Sequence, residues 1–316
     1  MSQGAPSIGL LVNPSAKAQR SSPAVMRRLQ TLMDGRGLYA QSTSIDELES
    51  IAHRFKEEGV EILALSGGDG TTSFALTAFK AVYGSEGLPS ICLLRGGTMN
   101  TVANGIGVRR GGPEELLRRL LKAIEAGNTL RSKSVGTLEL NGQLGFITGV
   151  GVIPAFLREY YQAGDPYPTP LTAMRLLSRA IAGSFVGGKL AKRVADRIPC
   201  DVWVDGEMWP TASYLTIGAA TVPQIGLGFT PFYRSEADQE RFHLVGFTCS
   251  KVNFVGALWP IFRGQPTNAR YTRETLASSA RIKQRNGSTL YTIDGEVLEA
   301  DELAIEMGPR VEVVWA

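Results

Sequence analysis

Two glycine-rich turns, Ser66-Gly67-Gly68-Asp69-Gly70-Thr71-Thr72 and Gly96-Gly97-Thr98-Met99-Asn100, each follow a short apolar run, Val60 to Leu65 and Ser90 to Leu94. Apolar runs this short, closed by glycine, read as buried strands of a parallel sheet. A glycine turn between a strand and a helix lets the backbone approach a phosphate closely. The helix start adds free N–H groups and a partial positive charge. An aspartate there, Asp69, has two chemical roles open to it: holding Mg²⁺ with the phosphates, or accepting a proton from an attacking hydroxyl. Capping a helix is the structural alternative, but Gly67-Gly68 followed by Asp69-Gly70-Thr71 is more than a cap requires. Neither turn is a Walker A loop, since no Gly-Lys-Ser/Thr follows, and the first strand carries no G-x-G-x-x-G. Two such loops at neighbouring strand ends can grip one extended ligand from both sides, as a nucleotide with its phosphates requires.

The flanking pattern agrees with a sheet wrapped by helices. Ser7 to Val12, ended by Asn13-Pro14, reads as a strand, as does Leu38 to Ser42. Helical spacing predicts helices over Pro23 to Met33, Ile45 to Glu58 (a capping box of Ser44 with Glu47), Thr72 to Tyr83 and Glu114 to Ala126. From Ser134 the texture changes. Val135 to Leu140 and Leu144 to Thr148 flank Asn141-Gly142, and Val202 to Val204 and Met208 to Ala212 flank Asp205-Gly206, both hairpin signals. Further strands are expected at Tyr214–Ile217, Phe242–Phe247, Leu290–Ile293, Leu303–Met307 and Val311–Trp315, interrupted by one helical insert over Pro170 to Ala195. The expected class is α/β: an N-terminal parallel-sheet nucleotide domain over residues 1–133, then a mainly antiparallel β domain over residues 134–316.

Composition removes several other classes. An apolar share of 43% and a charged share of 20% are those of a globular protein. Cys92, Cys200 and Cys249 are far apart without CxxC spacing, which argues against a disulfide framework or a structural zinc site. With only His53 and His243 present, a histidine-based centre is not expected. A net charge of +3 is too small to imply nucleic acid. No signal-peptide core follows Met1 to Pro6, and no apolar run reaches the roughly 18 residues of a membrane span. The expectation is a cytoplasmic protein, with peripheral attachment to the inner membrane face.

Asn13-Pro14 after the first strand, Gly67-Gly68-Asp69-Gly70-Thr71, Gly97-Thr98-Met99-Asn100 and the late Asp294-Gly295-Glu296 together resemble the diacylglycerol kinase catalytic-domain family, which includes bacterial lipid kinases and sphingosine kinases. The resemblance implies an ATP-dependent lipid kinase, with ATP and Mg²⁺ bound between an α/β domain and a β-rich domain. Asn13, Thr43, Gly67 to Thr72, Gly97, Thr98 and Asn100 would then line the ATP site. Asp69 would assist the metal or the base, and Asp294 or Glu296 would deprotonate a diacylglycerol-like hydroxyl. The same Asp-Gly-Glu triplet also stands at Asp205-Gly206-Glu207, where a hairpin turn accounts for it. A turn competes at the second copy too.

Three departures bear on activity. Ser15-Ala16-Lys17 stands where the family has Ser-Gly, and Asn100-Thr101-Val102-Ala103-Asn104 where it has Asn-Asp-x-Ala-Arg. A carboxylate and an arginine are therefore missing. Glu236-Ala237-Asp238-Gln239-Glu240-Arg241-Phe242 replaces an Asp-Gly-x-Leu-Asp that holds a structural Mg²⁺ in the family. Two other readings follow: an NAD kinase-like enzyme with a soluble substrate, which has the Gly-Gly-Asp-Gly-Thr loop but not the second one, and a non-catalytic nucleotide- or lipid-binding relative. Leu171 to Arg197 carries six basic residues against Asp196, interleaved with apolar ones. That pattern suits an anionic membrane surface or a solvated helix pair. Phe254 to Phe262 reads as core, or as the wall of an acyl pocket. The oligomeric state, a homodimer included, stays open.

Overall fold

The computed structural model describes residues 6–16, 22–163 and 169–316. The chain divides into two compact units, residues 1–135 with 310–316, and residues 136–309.

In the first unit, β1 (Ile8–Val12), β2 (Leu38–Gln41), β3 (Ile62–Ser66) and β4 (Ser90–Leu93) alternate with α1 (Pro23–Met33), α2 (Ile45–Glu57) and α3 (Asp69–Tyr83). The strands pair in parallel in the order β4-β3-β1-β2. Every residue of β1 and β3 is buried, the consequence of helices covering both faces of a parallel sheet. After β4 come a short α4 (Thr101–Ile106) and α5 (Pro113–Glu125), whose Leu116, Leu117, Leu120 and Leu121 pack at helical spacing against Ile8, Leu10 and Val12.

α1 has the bounds its spacing predicts. α3 starts at Asp69 rather than Thr72, because Gly68, extended at φ −89°, is already its N-cap. The glycine turn proper is thus Gly67-Gly68, and Asp69-Gly70-Thr71 is the first helical turn. The expected capping box at Ser44 is absent: Ser44 caps α2 without a side-chain bond, and Glu47 instead accepts the Thr43 N–H at 2.8 Å.

The second unit is mainly antiparallel. β5 (Arg131–Leu140) turns into β6 (Gln143–Gly145), followed by β7 (Ile147–Gly151), β8 (Ile198–Val204), β9 (Glu207–Met208), β10 (Ser213–Tyr214), β11 (Thr216–Ala220), β12 (Phe242–Phe247), β13 (Thr272–Ala277), β14 (Ser279–Gln284), β15 (Thr289–Ile293), β16 (Glu296–Ala300) and β17 (Leu303–Trp315). One antiparallel sheet runs β13-β12-β11-β7-β15-β16. β8 and Leu303–Glu306 of β17 flank β14 in a second layer. Leu138, Val202, Tyr214, Phe242, Ile282, Ile293 and Ile305 belong to the common core of this unit. The end of β17 returns to the first unit, where Val313 pairs in parallel with Ile91. Residues 310–316 therefore lie outside the second domain to which their sequence pattern assigned them.

Among the described residues of the second unit are four helices: α6 (Val152–Ala163), α7 (Pro170–Val186), α8 (Lys189–Val194) and α9 (Lys251–Phe262). The helical insert over 170–195 is a helix pair with its turn at Gly187-Gly188, as the helix-pair reading of this segment expects. Gly187 takes φ +70°, and a Cβ on Gly188 would stand 3.0 Å from the Gly183 Cα. The Phe254–Phe262 segment is not core: within α9 only Ile261 is buried, while Trp259 is 65% exposed. The run was apolar enough for an interior, but its neighbours, α7 and the rings of Phe229 and Phe247, cover only part of it.

Candidate nucleotide site

The winding direction of the first sheet reverses between β1 and β3, the place where open α/β sheets leave a crevice at the carboxyl ends of their strands. The chain leaving β1 is stitched there. The Asn13 N–H donates to the Ser66 carbonyl at 3.0 Å, and the Asn13 Nδ2 donates to the Thr71 Oγ1 at 2.8 Å. Gly67 makes that contact feasible, since a Cβ there would stand 2.5 Å from the Thr71 Cβ. The loops after β1 and β3 are thereby joined.

The loops after β3 and β4 also meet. A Cβ on Gly97 would stand 2.6 Å from the Gly68 Cα, so their backbones pass at a distance only glycine permits. Asp69 completes this junction. Its Oδ2 accepts the Thr101 N–H at 2.8 Å and its Oδ1 the Val102 N–H at 3.1 Å, at the start of α4. Burial raises its pKa above the ordinary carboxylate value, against the pull of those two N–H groups and of the Arg95 guanidinium. Asp69 is thus a clamp between the two glycine loops, capping not its own helix but the one that follows β4. The second loop is held by Asn100, at φ +48°. Its Oδ1 accepts the Gly97 N–H and its Nδ2 donates to the Gly97 carbonyl, both at 3.1 Å.

Of the other residues expected to line the site, Gly70 and Thr72 are buried in the first turns of α3, and the Thr72 hydroxyl donates to the Gly68 carbonyl at 3.3 Å. The Thr98 side chain makes no hydrogen bond among the described residues and stays available. Thr43 is exposed on the loop after β2, where Ser42 donates to the Val12 carbonyl at 3.1 Å. Its N–H bond is the main reason that Glu47 titrates below the usual carboxylate range.

Arg95 is a residue that motif reading passed over. It sits at φ +55° just before Gly96, and its guanidinium donates to the Val108 carbonyl at 3.2 Å and to the Asn104 Oδ1. The Asn104 amide in turn donates to the Met99 carbonyl at 3.0 Å. Burial, and then the neighbouring Arg110, lower its pKa. A non-glycine residue at positive φ is the signal that could have flagged it, but only coordinates show a φ. Position 104, where the family's arginine is missing, is therefore reached by an arginine from position 95.

In the second unit Asp294 and Glu296 separate sharply. Asp294-Gly295 is a two-residue turn between β15 and β16 with both φ positive, +47° and +95°. The buried Asp294 carboxylate accepts the Phe146 N–H at 3.1 Å and the Ile147 N–H at 2.9 Å. Asp205-Gly206 repeats the device, with φ +49° and +87° and the carboxylate on the N–H groups of Ser278 and Ser279. Asn141-Gly142 repeats it again, the amide oxygen accepting the Ala304 N–H at 2.8 Å. Asp294 thus has the surroundings of a turn residue. The Glu296 side chain is exposed and has no hydrogen bond or ion pair among the described residues, while partial desolvation of its carboxyl raises its pKa. The Tyr161 hydroxyl donates to the Gly295 carbonyl at 2.8 Å, which puts a second polar side chain at this turn.

His243 is fully buried in the second unit, its pKa lowered to about 4 by desolvation and then by Arg234. The three cysteines are free and buried, and desolvation pushes the Cys92 and Cys200 thiols up to about 12. Among the described residues no three His, Cys, Asp or Glu side chains gather to hold a metal ion. In the 236–242 segment, Asp238 accepts the Glu240 N–H at 2.9 Å and faces Arg241 at 3.8 Å, an arrangement that does not fit a resident Mg²⁺. No described helix is long and apolar enough to cross a membrane.

Residues 7–131 match the family model of the diacylglycerol kinase catalytic domain. Among solved structures, a diacylglycerol kinase from Bacillus anthracis str. Sterne is 15% identical over 98% of this chain and 97% of its own, with a TM-score of 0.65. A proposed diacylglycerol kinase from the same organism is 17% identical over the same shares, with a TM-score of 0.71. At such identities the likeness shows a shared fold. Comparison with curated proteins finds no match.

Proposed function

We propose that this chain, whose residues 7–131 match the model of the diacylglycerol kinase catalytic domain, transfers the γ-phosphoryl group of MgATP to a hydroxyl of a diacylglycerol-like lipid. The observation that carries the reading is the convergence of the loops after β1, β3 and β4, drawn together by Asn13, Asp69 and the Gly68–Gly97 approach. Phosphoryl transfer depends on positioning and charge neutralisation more than on covalent chemistry, and this junction supplies both. Glycine backbone and the start of α3 face the phosphates, and the Thr98 hydroxyl contacts them. Arg95 provides positive charge where no P-loop lysine exists. Mg²⁺ enters with the nucleotide as part of the substrate. Asp69 keeps the loops in register and is not itself the base, since its carboxylate already accepts two N–H groups. Glu296 is the better base, being without a partner and with its affinity for a proton raised, while Asp294 fixes the turn that presents it.

A reading of nucleotide binding without transfer is favoured by one observation, that Asp69 and Asp294 are both occupied by backbone N–H groups. Incubation with γ-labelled ATP and a total lipid extract separates the two. Label recovered in the organic phase supports transfer to lipid. Label in a soluble dinucleotide supports the NAD kinase-like reading, and ATP bound without transfer supports the binding protein.

A further inference from the structure

The second unit displays a helix whose sequence and surroundings disagree. α9 is apolar at every position except Lys251 and Asn253, yet Ile261 alone is buried. Val252, Trp259 and Phe262 are exposed at 42%, 65% and 47%, and their spacing of seven and three residues puts them on one stripe. The Trp259 and Phe262 rings stack at 6.2 Å, and Arg263 lies over Trp259 at 5.7 Å.

α7 packs against α9 and has the same character. Its buried side, Ala173, Leu176 and Ser184, is narrow. Its solvent side presents Leu171, Met174, Phe185 and Val186, interleaved with exposed Arg175 and Arg179. Together α7, α8 and α9 contain Arg175, Arg179, Lys189, Lys192, Arg193 and Lys251 and no carboxylate of their own, and of these Arg193 pairs with Glu159 of α6 at 2.6 Å.

The charge pattern selects the occupant. A second copy docking face to face would oppose the arginines of α7 to their own copies, with no acid on α7 or α9 to pair them. A nucleic acid would satisfy the cations but leave Trp259, Phe262 and Leu171 in water. An anionic bilayer surface satisfies both, since its hydrocarbon boundary takes the apolar stripe and its headgroups take the lysines and arginines. We propose that α7 and α9 form an interfacial docking face that inserts Trp259 and Phe262 into the surface of an anionic bilayer. This deepens the lipid-kinase reading and rests on it for its purpose, but not for its test.

The test uses the full chain and vesicles of phosphatidylglycerol with phosphatidylcholine, without ATP or diacylglycerol. The expected result is co-sedimentation with the mixed vesicles and little with phosphatidylcholine alone. Tryptophan emission should shift to the blue on binding, and the shift should be lost in Trp259→Phe. A Trp259→Ser/Phe262→Ser variant should bind at least tenfold more weakly, and Arg175→Gln/Arg179→Gln should reduce binding to the anionic vesicles only. All four residues are exposed, Phe262 in part because it meets the Phe229 ring at 5.6 Å, so a cooperative thermal transition close to that of wild type confirms that the variants are folded. Wild-type protein that stays free of anionic vesicles overturns the proposal, as does a serine variant that binds as tightly as wild type. A wild-type dimer that the serine variant converts to monomer also overturns it, by assigning the face to self-association. If the wild type binds vesicles but phosphorylates no lipid, even a monomeric short-chain one, the docking face stands and the kinase reading falls.

Discussion

The approach of Gly97 to Gly68 gives a sharp test, because the two glycines do not predict the same cost. A Cβ on Gly97 would stand 2.6 Å from the Gly68 Cα and 3.2 Å from the Asn100 Oδ1. Carbon atoms pack at about 3.5–4.0 Å, so Gly97→Ala demands a displacement of about 1 Å between two backbones. Neither can yield easily. The second loop is closed by the Asn100–Gly97 pair of hydrogen bonds, and the first is pinned by the Asp69 clamp onto α4. Overpacking of this kind costs about 1–3 kcal/mol. The reciprocal change, Gly68→Ala, places its Cβ 3.6 Å from the Gly97 Cα, an ordinary contact, and Gly68 already has an extended φ that alanine adopts. Urea unfolding of both variants should show a clear loss for Gly97→Ala and a much smaller one for Gly68→Ala, and calorimetric titration should show weakened ATP binding by Gly97→Ala. Equal unfolding midpoints for the two variants, or a Gly97→Ala protein indistinguishable from wild type, would refute the loop junction as the basis of the site.

Other outcomes follow from the same geometry. Asp294→Asn should lower stability by about 1–3 kcal/mol, the range for a compromised buried hydrogen-bonded carboxylate. Glu296→Gln should leave the unfolding curve unchanged and cut turnover. Wild-type turnover should fall as pH drops through a Glu296 pKa above the usual carboxylate value, since the base must be ionised. Arg95→Met should weaken binding of ATP much more than of adenosine, with partial recovery in Arg95→Lys; equal losses for both ligands would reduce Arg95 to a structural role. His243 titrates near 6.5 when unfolded and at about 4 when folded, so its stability contribution is complete above pH 6.5 and is lost as pH falls towards 4. The difference amounts to roughly 3 kcal/mol, read as a steeper acid loss of unfolding midpoint in wild type than in His243→Leu.

The alternation of apolar runs with amphipathic helices made the first unit legible, because strands buried on both faces have little compositional freedom. The glycine loops were legible as close-approach turns for the same reason that they are glycine: Gly67 and Gly97 stand where any Cβ would collide. The job of Asp69 was not legible, since its partners, the N–H groups of Thr101 and Val102, lie far along the chain and backbone N–H groups leave no mark in a sequence. Arg95 was hidden likewise, because the family pattern directs attention to position 104 and only the fold brings the two together. Asp205-Gly206 and Asp294-Gly295 form the same kind of turn in local sequence and in space, so neither aspartate could be singled out by reading alone. The return of residues 310–316 to the first unit depends on a pairing with Ile91 that no local signal encodes. α9 misled for the opposite reason: apolarity predicts burial, but does not say whether protein or another apolar phase provides it.

The most direct measurement is a quantitative one with purified diacylglycerol dispersed in phosphatidylglycerol vesicles. MgATP is added, and ADP and phosphorylated lipid are both counted. The account predicts one phosphatidate for each ADP in wild type and a strong loss of both in Glu296→Gln, with ATP binding intact. ADP formed without phosphorylated lipid, or ATP bound with neither product, would contradict it.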